Sequence, residues 1–201
     1  MRNFSCLSIV LSIDGSENPG FSSSVVEVVN GNSTVQVSNL EAALKMVPDG
    51  SKVNVVVNGS VSNQNVYNIA RAISEGKVFV VLDLSSVTEL PGILGSPFNG
   101  NLNLVGLDFP MNTVSINSQW VADCKNLETV TIPASVKKIG AQAFSGCEKL
   151  SSLKFADPAG WFALKDGNAA EEIKGLEKTD DNPYRFTLFS SPFRNCVLQK
   201  N

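Results

Sequence analysis

Two pairs of residues in this chain could do chemistry, and each pair repeats one position of a recurring segment. Asp83 and Asp108 stand in "VVLDLS" and "VGLDFP", at the same outward place of successive strands. Carboxylates on neighbouring strands, roughly 5 Å apart, could hold a cation or divide the roles of acid and base. The plain alternative is a pair of solvated aspartates. Cys124 and Cys147 share one place in "VADCKNL" and "FSGCEKL". Stacking could bring their α-carbons into the range of a disulfide, roughly 4.4–6.8 Å. A cysteine repeated in an apolar lattice reads better as a small buried hydrophobe. The chain has no histidine, which removes the Ser-His-Asp and Cys-His arrangements and the common zinc sites. Neither Cys6 nor Cys196 is marked as an activated nucleophile. The expectation is no catalytic residue, no metal and no cofactor.

Composition limits the partners. The net charge is −3, with the Lys and Arg residues scattered, so there is no basic footprint for nucleic acid or an anionic membrane. Apolar residues make up 43% and charged residues 17% of the 201 residues, enough for one domain with a sizeable core. The run "CLSIVLSI" is too short to cross a bilayer, so no transmembrane segment is expected. Arg2 before that run is similar to a signal-peptide start, yet no small-residue cleavage site follows. Were the true start upstream, Ser5-Cys6 would be the remnant of a lipoprotein junction and Cys6 a lipid-anchor candidate. Residues 1–24, ending in a Gly/Ser/Asn/Pro cluster, read as a flexible leader.

Behind these residues must stand elements that position them. "STVQV" alternates as a short strand. "SNLEAALKMVPDG" follows as a helix, with Ser38 as N-cap, Glu41 completing a capping box and Pro48-Asp49-Gly50 as the stop. Its apolar face is Leu40, Ala43, Leu44 and Val47. The module recurs: "KVNVVV" as strand, then "SNQNVYNIARAISEG" as helix with Val66, Ile69, Ala70 and Ile73 on one face. "KVFVVLDLS" is a third strand, whose unbroken apolar run predicts burial on both faces. Strands alternating with helices imply right-handed parallel pairing.

After this the pattern changes to a repeat. Leu104, Leu127 and Leu150 stand at one constant interval, and apolar residues recur at the first, fourth and sixth places of each unit. These are Leu104, Leu107, Phe109; Leu127, Val130, Ile132; and Leu150, Leu153, Phe155. Ile116 and Ile139 share the thirteenth place, Val121 and Phe144 the eighteenth, and Cys124 and Cys147 the twenty-first. A weaker and slightly longer unit, Phe79, Leu82 and Leu84 with Leu90 and Phe98, precedes them. A constant interval means stacked units, each burying its neighbour's face. Pro110 and Pro133, which lack an amide donor, close the first two strands. After Phe155 "ADPAGW" breaks the repeat, and Trp161-Phe162 can cover the open end. "KDGNAAEEIKGLEKTDDN" reads as a partly helical excursion, and the tail adds Phe186, Leu188, Phe189, Phe193, Val197 and Leu198.

The unit "LETVTIPASVKKIGAQAFSGCEKL" resembles the BspA-like leucine-rich repeats of surface proteins from spirochaetes and oral or gut bacteria. Its "IP", "VKKI", "GAQAF" and "C-x-x-L" sit as in that family. The upstream copy departs from it, with Trp120-Val121 in place of the Ala-Phe pair and Ile116-Asn117 in place of the Ile-Gly step. The resemblance covers about residues 79–160, and Val35 to Ser85 looks like the N-terminal part of spirochaete members. It implies a curved solenoid, location at the cell surface or in secretion, and binding of host proteins.

The expected fold is α/β: a short leucine-rich-repeat solenoid with a parallel β-sheet, an N-terminal βαβα cap and a C-terminal cap. The expected organisation is a leader at 1–24, a βα capping region at 25–78, repeats at 79–160 and a C-terminal cap at 161–201. The candidate surface is the outward strand row of Val81, Asp83, Gly106, Asp108, Thr129, Thr131, Ser152 and Lys154. Such a row suits a protein or glycan ligand rather than a small molecule. The expected function is a non-enzymatic interaction module for adhesion or host-protein binding. The rivals are an assembly partner of longer repeat proteins and a carbohydrate-active enzyme using the stacked aspartates. The oligomeric state is left open.

Overall fold

The computed structural model of the chain describes residues 7–13, 26–28, 33–34, 40–89, 95–165, 168–172 and 196–200. The strands β1 (Leu7–Ile13), β2 (Val26–Val28) and β3 (Ser33–Thr34) come first, followed by helix α1 (Leu40–Lys45). Strand β4 (Lys52–Ser60), helix α2 (Asn63–Glu75), and strands β5 (Phe79–Asp83) and β6 (Val87–Glu89) complete the first half. The repeat strands are β7 (Leu104–Asp108), β8 (Ser115–Ile116), β9 (Thr129–Ile132), β10 (Lys138–Ile139) and β11 (Ser152–Phe155). Last come β12 (Trp161–Lys165), β13 (Asn168–Glu172) and β14 (Val197–Lys200).

Local chemistry explains the helices. In α2, Ser62 is the N-cap, its hydroxyl accepting from the Asn65 amide at 3.2 Å. Val66, Ile69, Ala70 and Ile73 are buried on one face, as their spacing predicts, and Gly76 ends the helix by returning its N–H to the Ala72 and Ile73 carbonyls. Helix α1 buries Leu40 and Leu44 and pairs Lys45 with Glu41 on its solvent side. The Ser38 cap and the residues Val35 to Val37 lie outside the described residues, as do Cys6, Leu90 and the aromatic part of the tail.

One nine-stranded sheet runs through both halves, in the order β11-β9-β7-β5-β4-β1-β3-β2, with β6 also beside β4. Every neighbouring pair is parallel except β2 with β3. The nine repeated apolar residues at the first, fourth and sixth places are all buried, in a core that they share with Ile116, Val121, Ile139 and Phe144. Leu40, Leu44, Ile69 and Ile73 of the helices belong to the same core, so Leu104 and Leu150 face one continuous interior. A second, five-stranded sheet has the order β13-β12-β14-β10-β8.

Three expectations are corrected. Leu7–Ile13, inside the stretch read as a flexible leader, forms a strand between β4 and β3. Its sequence "LSIVLSI" has apolar residues at every second position, and Leu7, Ile9 and Leu11 pair in register with the buried Val53, Val55 and Val57. Strand β5 is not buried on both faces: Val80 and Leu82 are inside, whereas Phe79 remains 38% exposed and Val81 half-buried. Among the described residues the helices lie on the core side of the sheet, so an apolar run overstates burial here. Asn168–Glu172, within the segment read as partly helical, is a strand paired antiparallel with β12.

Candidate functional site

The face of the sheet turned away from the core is set by strand register. One row joins Asn54, Val81, Gly106, Thr129 and Ser152; the next joins Val56, Asp83, Asp108, Thr131 and Lys154. All eight predicted surface residues therefore lie in two adjacent rows across four strands. The weaker, longer first unit stays aligned because of a bulge: Val80 pairs with Leu104, but Val81 pairs with Gly106, leaving Val105 extra. Without that inserted residue Asp83 and Asp108 would be out of step.

The rows are not uniformly open. Thr129 and Lys154 are exposed, and Val81, Asp83, Asp108, Thr131 and Ser152 are half-buried. Gly106 is buried: a Cβ there would lie 2.9 Å from both Thr129 Oγ1 and Val81 Cγ1. Its neighbours thus close over the glycine, which leaves it as a spacer rather than a contact residue. Below these rows Lys52 Nζ meets Glu128 Oε2 at 3.2 Å, an ion pair reaching from β4 to the start of β9 over two intervening strands. Phe79 lies on β5 beside Lys52 in register, and Val105, on β7, is only 4% exposed.

The aspartates stand side by side, as the acid/base or cation reading requires. Asp83 Oδ1, however, already accepts from the Ser85 amide at 2.8 Å. Among the described residues no three carboxylate, thiol or imidazole side chains converge. A cleft of about 260 Å³ beside α2, with Tyr67, Arg71, Glu75 and Asn99 in its wall, is smaller than the roughly 300–1,000 Å³ of ordinary small-molecule sites. What the sheet face offers is therefore a shallow polar platform with an apolar belt at Val56, Val81 and Phe79.

Rigidity comes from bonds that run from one unit to the next. Cys124 Sγ donates to the Phe98 carbonyl at 2.9 Å and Cys147 Sγ to the Val121 carbonyl at 3.1 Å. Both remain thiols, and burial pushes each up to about 12. Asn101 occupies the same place one unit before Cys124. It is 3% exposed, and its Nδ2 donates to the Ala70 carbonyl of α2 at 3.0 Å. Asn103, close behind it, uses its Nδ2 to reach the carbonyls of Ile73, Ser74 and Gly76 at 2.9, 3.2 and 2.7 Å. Asn103 thus bonds to the end of α2, where the last carbonyls lack the partners of the helix interior and the Ile73 carbonyl also accepts from Gly76. Sequence reasoning had passed over Asn101; counting one interval back from Cys124 would have found it. The same interval also aligns Gly100, Asp123 and Gly146, all at positive φ of 71°, 57° and 76°.

A parallel ladder whose strands return at a constant interval, bonded unit to unit at one fixed place, is the architecture of a stacked-repeat protein. Residues 88–163 match the family model described as "BspA type Leucine rich repeat region (6 copies)". The repeat region of this chain is therefore of the BspA leucine-rich-repeat type, with β5 lying before the matched segment. A search of curated proteins found no match to the chain. No helix among the described residues is long and apolar enough to cross a membrane.

Proposed function

We propose that the chain is a non-enzymatic protein-interaction module, a short solenoid closed by the βα segment at one end and by β12–β14 at the other. It acts at the cell surface or in secretion, in adhesion or host-protein binding, through the open sheet face. The observation that carries this reading is the register itself. Val81, Gly106, Thr129 and Ser152, with Asp83, Asp108, Thr131 and Lys154, make two unbroken rows across four strands, and the helices pack on the other side. Extended sheet faces of stacked repeats suit large ligands, which need area more than a pocket. Phe79 and Val81 supply the kind of apolar anchor on which binding energy concentrates.

The test is direct binding of the purified chain to purified extracellular-matrix and epithelial surface proteins at about 1 μM. Capture should be lost when Thr131→Arg and Phe79→Asp are combined, with circular dichroism unchanged. Failure to bind any of them, or capture indifferent to that double substitution, overturns the proposal.

A further inference from the structure

Between its strands each unit carries a loop, and these loops are bonded in a ladder of their own. The Asp123 amide donates to the Ser145 carbonyl at 2.6 Å, and one unit earlier the Gly100 amide donates to the Ala122 carbonyl at 2.8 Å. A carbonyl at this place thus accepts from the unit before it. Asn99 stands one interval before Ala122, and its carbonyl has no donor among the described residues. The reason is that α2 stands where a preceding unit would be. A helix can lend the second lone pair of a carbonyl, as Ala70 does to Asn101. Its interior amides, however, are already bonded to carbonyls four residues back. Helix α2 therefore replaces the acceptor of the absent unit but not its donor.

At that place lies the cleft of about 260 Å³, with Tyr67, Arg71, Ser74 and Glu75 of α2 on one side and Asn99 on the other. Both sides are fixed. Asn101 ties the loop to α2, and Phe98, fully buried beside Asn99, packs its ring against Trp120 at 5.3 Å. Gly95, at a φ of 87°, approaches Tyr67 so closely that a Cβ there would collide with the tyrosine hydroxyl. The charges of Arg71 and Glu75 cancel, so an anion or a cation gains no net attraction. The guanidinium donates, whereas the Glu75 carboxylate and the Asn99 carbonyl accept, a mixed set that suits a neutral, hydroxyl-rich ligand. Tyr67, 40% exposed, adds an aromatic body for the C–H face of a sugar ring. The Asn99 carbonyl adds one further requirement, an amide N–H. We propose that this cleft binds an acetamido sugar, the N-acetylhexosamine that ends a glycan. Its acetamido N–H donates to the Asn99 carbonyl, and its hydroxyls bond to Arg71 and Glu75. A cleft too small for an ordinary small-molecule ligand has room for one such ring. It lies on the helix side, opposite the open rows of the sheet, so the sugar site does not rest on protein binding there.

The test titrates the full chain, followed by NMR, with the methyl glycosides of N-acetylglucosamine and N-acetylgalactosamine, which present the sugar as the end of a chain does. At least one should bind with a Kd of about 1 mM, as a single ring allows. The methyl glycosides of glucose and galactose, which lack the acetamido N–H, should bind about ten-fold more weakly. Arg71→Ala and the cleft-filling Ser74→Trp, both at exposed positions of α2, should each abolish binding. Phe79→Asp combined with Thr131→Arg should leave it unchanged, which separates this site from the sheet face. No binding of either acetamido sugar at about 10 mM, or equal binding of the parent sugars, overturns the proposal with the unaltered chain alone. Binding that survives Arg71→Ala and Ser74→Trp overturns it as well. So does acetyl-glycine amide binding as tightly as the sugars, an outcome that marks the cleft as a peptide site.

Discussion

Asn101 joins the repeat region to the helix before it: its amide nitrogen donates to the Ala70 carbonyl, while its oxygen accepts from the amides of Asn103 and Leu104 at 3.1 and 3.2 Å. In the next two units a cysteine stands at this place and bonds to the unit before it. Helix α2 thus presents to the first full repeat the carbonyl that a preceding repeat would present. The βα segment is continuous with the repeats both in its sheet and in this line of side-chain bonds.

Substituting that residue should be costly in a graded way. Asn101→Ala removes the bond to the Ala70 carbonyl and leaves the Asn103 and Leu104 amides without the acceptor they share, so a loss of about 3 kcal/mol is expected in urea unfolding. Asn101→Cys can still donate to the Ala70 carbonyl, as its counterparts donate to theirs, and should lose less. Equal losses for the two would mean that the side-chain donor contributes nothing.

The inward and outward positions of β9 should differ sharply. Leu127, fully buried just before the strand, should lose about 2–5 kcal/mol on truncation to Ala. Thr131, half-buried on the open face, should lose under about 0.5 kcal/mol. Chemical denaturation of the two variants measures both.

At Gly106 the strain is one of space. Gly106→Ala brings a methyl to 2.9 Å from Val81 Cγ1 and Thr129 Oγ1, and should destabilise by about 1–3 kcal/mol through overpacking. Adding Val81→Ala in the same chain should recover part of the loss, as thermal unfolding of the single and double variants will read.

The thiols give a test at alkaline pH. Burial raises Cys124 and Cys147 from an ordinary value of 9.0 to about 12. A folded-state value above the unfolded one means that the unfolded chain sheds these protons first. Stability should therefore be level below pH 9 and fall between 9 and 12, and Cys124→Ala should flatten that fall. In native chain neither thiol should react with a thiol-specific reagent at about pH 8, and both should react on unfolding.

At acid pH the tail should loosen. Hydrogen bonding to Lys200 holds Asp157 below the usual carboxylate range. A lowered folded-state value means that the stabilisation is present above the unfolded value and is lost as pH falls through the folded one. Amide exchange at Leu198 and Lys200 should accelerate as pH drops below that point relative to Val130, whose strand has no part in the pair.

Much of this molecule is written in apolar spacing. The constant interval of the repeat marked its strands and their inward residues, because a shared core requires like residues at like places. Alternation in "VNVVV" and the helical spacing of apolar residues in "NVYNIARAI" likewise specified β4 and α2. Strand neighbours were decided otherwise. That β1 enters between β4 and β3, that Val105 bulges to keep Asp83 level with Asp108, and that β14 separates β10 from β12 all depend on which free edge is available once the core has closed. Backbone hydrogen bonding is the same for every sequence. A strand's residues can show which face it buries, but its neighbour is chosen only by the folded whole.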